Sequence, residues 1–87
     1  MNLELRIALE RLVYLKAIRD HVLSAFTLSD NRRSKVKNSD VTKHVANALG
    51  REFSPALGRD VIQAMKAHGW RCVRDSKRHT WRGVRPR

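Results

Sequence analysis

The sequence has little from which to build an oxidised, membrane-embedded or catalytic protein. It contains one cysteine, Cys72. A single thiol excludes an internal disulfide framework and fits a reducing compartment. No apolar run approaches the ~20 residues needed to span a bilayer. Met1 to Glu10 lacks the unbroken apolar region of a secretory signal, so the expectation is an intracellular protein with no membrane partner. Acids are scarce, with eight Asp/Glu in 87 residues. They form no cluster that would hold Mg²⁺, and there is no glycine-rich phosphate loop. His68 and Cys72 lie four apart but straddle Gly69, where a helix should stop, and His21, His44 and His79 are scattered. Neither a zinc site nor a Cys-His nucleophile with an orienting third group can be assembled. The expectation is a non-enzyme with no cofactor and no metal.

What the chain has in excess is positive charge. Nineteen Lys/Arg give a formal +11. A chain this short is expected to form one domain, and such a charge repels itself in a compact state, which points to a polyanionic partner. Nucleic acid leads; an anionic membrane surface would require an amphipathic basic helix with bulky apolar residues. The charge is also uneven. Residues 1–27 hold Arg6, Arg11, Lys16 and Arg19 against Glu4, Glu10 and Asp20, whereas residues 59–87 hold nine Lys/Arg against Asp60 and Asp75. Partner contact is therefore expected toward the C-terminal side.

Residues 3–26 lack Gly and Pro and are rich in helix formers. Leu5, Leu9, Leu12 and Val13, then Ala17, Ile18, Val22, Ala25 and Phe26, recur at helical spacing, and Asn2 can cap the start. Ile7, Tyr14, Leu15 and Leu23 flank this stripe, so the helix has apolar residues on two sides. Two readings follow: a helix buried wholly in its own core, and a helix whose second face pairs two copies. Residues 28–38, "LSDNRRSKVKN", read as a basic loop. Its Arg32, Arg33, Lys35 and Lys37 are either a solvated connector or phosphate contacts.

Asn38 or Ser39 caps a short helix with Val41, Val45, Ala48 and Leu49 on one face, and Gly50 stands where a left-handed residue ends it. Ser54-Pro55 starts a further helix: the serine accepts from free amides and the proline lacks an amide that would need a partner. Leu57, Val61, Ala64, Met65 and His68 are expected inward, and Gly58 to allow close approach of a helix or a ligand backbone. Two short helices joined by "GREF" suit a helix-turn-helix. "WRCVR" and "RHTWRGVR", separated by the turn-forming "DSK", read as a hairpin with aromatics inward and cations outward.

Helix, turn, helix and a basic hairpin resemble a winged helix-turn-helix domain. More narrowly, His68-Gly69-Trp70 and Trp81-Arg82-Gly83-Val84-Arg85 are similar to the C-terminal winged-helix modules of phage and mobile-element primase and helicase proteins. The likeness covers residues 39–87. It implies a winged helix-turn-helix over those residues; with the long N-terminal helix, a feature the family lacks, the expected chain is mostly α with a small β-hairpin (α+β). The function implied is double-stranded DNA binding, as a small regulator of transcription or a replication accessory.

In that arrangement the helix over 54–68 enters the major groove. Arg59 reads guanine and Gln63 adenine, Ser54 and the helix N-terminus suit a phosphate, and Lys66 lies outward on the same helix. The wing, residues 70–85, engages backbone or minor groove through Arg71, Arg74, Lys77, Arg78, His79, Arg82 and Arg85. Trp70 and Trp81 either fill the core or stack on exposed bases. DNA is favoured over RNA as partner, a homodimer through residues 3–26 is expected if the second apolar face pairs, and the competing functions are an RNA-binding or ribosome-associated protein and a helix-mediated adaptor.

Overall fold

In the computed structural model, which describes residues 2–87, the order is α1 (Leu3–Ala25), β1 (Phe26–Leu28), β2 (Lys35–Lys37), α2 (Asn38–Leu49), α3 (Pro55–Ala67), β3 (Arg71–Asp75), β4 (Arg78–Arg82) and β5 (Val84–Pro86). The fold is α+β, three helices with two small antiparallel sheets. No helix among the described residues is long and apolar enough to cross a membrane.

The helix signals act as the sequence chemistry requires. Asn2 Oδ1 accepts from the Glu4 amide at 2.9 Å, and Ser54 Oγ accepts from Leu57 at 3.1 Å with Pro55 opening α3. Gly50 ends α2 at φ 65°, a left-handed conformation that costs glycine nothing. α2 departs from expectation at its start. The capping position is Lys37, which makes no side-chain cap; Asn38 is already the first helical residue and Ser39 lies inside the helix, exposed. On the inner face Thr42 and Ala46 are buried with Val41 and Val45, while Ala48 is exposed. His68, expected inward, is the exposed C-cap of α3.

The stretch read as a loop contains two strands. β2 pairs with β4, which also pairs with β3, so the hairpin becomes a three-stranded sheet of order β2-β4-β3. The return strand does not run unbroken through residue 85: it breaks at Gly83, at φ 70°, and β5 leaves to pair with β1. These strands are three residues long, too short for alternation to mark them in the sequence.

One buried cluster joins the elements: Ile18, Val22 and Phe26 from the α1 end, Val41 and Val45 from α2, Val61 and Met65 from α3, and Trp70, Trp81 and Val84 from the hairpin region. The two indoles meet edge to face at 6.0 Å. Trp81 is fully buried and Trp70 nearly so, so both are core residues and neither is free to stack on a base.

Candidate nucleic-acid interface

A cleft of about 750 Å³ opens where the start of α2, the start of α3 and the tip of the β3–β4 hairpin converge. Its lining includes Lys37, Lys43, Arg59, Lys77, Arg78 and His79, with Asp40 the one acid. Both helices present free amide groups toward their N-terminal ends, where the partial positive charge also favours an anion.

Each cation reaches the cleft for a local reason. Residues 55, 58, 59 and 62 fall along one side of α3, beside the side that buries Leu57, Val61, Ala64 and Met65. Arg59 is therefore exposed on the cleft, with Ile62 one turn on. Ser76 and Lys77 form the hairpin turn at φ 45° and 70°. Two successive positive φ values give the twist that a two-residue hairpin prefers, at a cost for any residue but glycine.

Asn38 lies in the cleft wall. Its Oδ1 accepts from Trp81 Nε1 at 2.9 Å and its Nδ2 donates to the Gly58 carbonyl at 3.1 Å. This one buried amide ties α2 to both α3 and β4, which fixes the two helix starts relative to the sheet. A methyl group on Gly58 would meet Asn38 Nδ2 at 3.6 Å and Thr42 Oγ1 at 3.7 Å, ordinary contacts. The neighbouring helix does not require the glycine, and Gly58 lies in the cleft wall.

The structure divides the residues expected to bind. Ser54, Arg59, Lys77, Arg78 and His79 line the cleft, though the Ser54 hydroxyl is engaged as a cap. Gln63, one turn from Arg59, is not part of the lining: its Oε1 accepts from Arg11 Nη2 at 2.8 Å, which turns the side chain toward α1. The same guanidinium pairs with Asp60 at 2.8 Å, and Tyr14 Oη donates to Asp60 at 3.1 Å. Burial raises the Tyr14 pKa first, and the bond to Asp60 adds to it, so the phenol stays protonated in this clamp. Asp60 therefore orders Arg11.

Lys66 is exposed in the last turn of α3 and outside the cleft lining. It acts on Cys72, whose thiol is pushed up by burial and pulled back less strongly by Lys66. The Cys72 sulfur lies 3.7 Å from His79 Nδ1, not beside His68, and among the described residues no three His, Cys, Asp or Glu side chains converge. Arg74 lies opposite His79. Arg71 and Arg82 lie opposite each other on the outer face of the sheet, and Arg85 is on β5 opposite Thr27; none of these three lines the cleft.

Sequence reasoning passed over Lys43, Phe53 and the joint role of Asn38. Lys43 was discoverable as a polar position on the outward side of α2. Phe53 precedes the cap of α3 and lines the cleft 49 % exposed; nothing in its local pattern distinguishes it from a core aromatic. No family model, no curated protein and no solved structure matches the chain.

Proposed function

We propose that the protein binds double-stranded nucleic acid, DNA in preference to RNA, as a winged helix-turn-helix module. The observation that carries this reading is the convergence of two helix starts and a cationic hairpin tip on one cleft. α3 is the groove-entering helix: Arg59 reaches base edges near its start, Phe53 meets sugar or a thymine methyl, and Gly58 lets a phosphate backbone approach closely. Lys37, Lys43, Lys77 and Arg78 neutralise phosphates on either side. Gln63 and Asp60 take no part, because α1 holds them.

The N-terminal arm supports pairing of two copies. Leu3, Leu5, Ile7, Leu9, Leu12 and Val13 are 44–70 % exposed. At about 100° per residue, Leu5, Leu9, Leu12 and Val13 share one side of α1, roughly opposite the buried Ile18 and Val22. Along residues 2–15 Glu4 and Glu10 balance Arg6 and Arg11. In a chain of net +11, this neutral arm is where a second copy meets least repulsion, and an exposed apolar side marks an interface. Two paired copies would offer two cleft helices to two half-sites.

The test is a duplex gel shift with two substitutions on the same helix. Arg59→Ala should weaken binding roughly 10-fold, the order expected of a base or phosphate contact. Gln63→Ala should leave affinity unchanged. Equal effects from both would refute the assignment, and preference for structured RNA in a direct competition would replace DNA as the ligand.

A further inference from the structure

We propose that the outer face of the three-stranded sheet is a second phosphate-backbone site, so that one copy holds two duplex segments, one in the cleft and one across the sheet. The proposal rests on the nucleic-acid reading above.

The register carries it. Lys35 lies opposite Arg82, and Arg82 lies opposite Arg71. Directly opposite residues point to the same face, so three cations stand side by side across three strands. At about 4.8 Å between strands the row spans roughly 10 Å. All three side chains are exposed, and among the described residues none has an ion-pair partner. Like charges directly opposite in a sheet are destabilising. No ion pair among the described residues relieves this repulsion, and a bound polyanion would offset it.

None of the three row residues lines the cleft. The next position down, Val36–Trp81–Cys72, turns to the other face and packs on the helices. The row thus points away from α2 and α3. Arg82 also stands four residues from Arg78 at the tip, roughly 13 Å along the strand. The outer face suits the backbone of a duplex. Toward the tip the face continues through Lys37, Thr80 and Val73 to Arg78 opposite Asp75; Lys37 and Arg78 also line the cleft and mark the border between the two sites. It carries no aromatic residue on which an unpaired base could stack and no exposed large apolar residue for a protein partner.

The test uses the full chain carrying Leu9→Lys and Leu12→Lys, so that paired copies cannot bridge. This protein is loaded on a bead-bound 20-bp duplex and offered a second, fluorescent duplex. Capture of the second duplex is expected. Adding Lys35→Gln, Arg71→Gln and Arg82→Gln should cut capture about tenfold or more and leave loading within about threefold, as removal of phosphate contacts at one site only requires. The same substitutions should raise Tm, since they remove the like-charge row. Capture unchanged with a raised Tm would show the row to be idle and overturn the proposal, as would a background protein that loads but captures nothing. Failure of the unsubstituted chain to load on any duplex would instead sink the nucleic-acid reading, and this proposal with it.

Discussion

Asn38 carries more of the architecture than any other polar residue. It is 7 % exposed, and its amide satisfies both the Trp81 indole and the Gly58 carbonyl. Asn38→Ala leaves a buried donor and a buried acceptor without partners, so stability should fall by about 2–4 kcal/mol, measured by urea unfolding. Lys77 is the opposite case, a residue that stability alone would not select. It sits at φ 70° in the hairpin turn, where glycine is free of the steric cost. Lys77→Gly should raise stability by about 1 kcal/mol and weaken duplex binding; a stabilised protein with undiminished affinity would remove the hairpin tip from the interface. Residue roles were partly legible in the sequence. Ser54 announced itself as a cap because serine before proline has a local meaning. Gln63 was paired with Arg59 because it lies one turn on from it, but its amide is engaged by Arg11, 52 positions away, and no local pattern encodes that contact.

Among the elements, α1 departs furthest from an ordinary domain helix. Its C-terminal half is anchored by Ile18 and Val22, while Leu3 through Glu10 is exposed throughout. The Arg11–Asp60–Tyr14 clamp ties its middle to α3. Leu9→Lys with Leu12→Lys should therefore leave Tm within a few degrees, because neither residue contributes to the core, and convert dimer to monomer by light scattering. A wild-type mass equal to one chain would dismiss pairing through the arm. The helices were readable because their caps and apolar spacing act within a few residues. The strands β1 and β2 were not, since three residues give no period and their pairing partners lie more than 40 residues further on. The hairpin, with its turn-forming trio between aromatic and β-branched residues, was the exception.

At the scale of the whole molecule, charge and fold are separated. The neutral arm of α1 lies at one end of the molecule, and the body places five Lys/Arg on the cleft and three in a row on the outer sheet face. Composition alone suggests a polyanionic partner on the C-terminal side, whereas the cleft also draws Lys37 and Lys43 from the middle of the chain. Composition gave no sign that Lys35, from the stretch before α2, would join Arg82 and Arg71 in one row, because that follows from the pairing register.

The central claim is that the cleft is a phosphate-binding surface, and a salt titration of binding to one short duplex tests it most directly. Of the five Lys/Arg that line the cleft, Lys37, Lys43, Lys77 and Arg78 are assigned to phosphates, and each phosphate neutralised contributes about −0.9 to the slope of log K on log salt, so the wild-type slope should be about −3.6. Lys43→Gln, at a position the fold alone places there, should make it shallower by about 0.9 and leave Tm unchanged. A slope near zero, or one that Lys43→Gln does not move, would contradict the account.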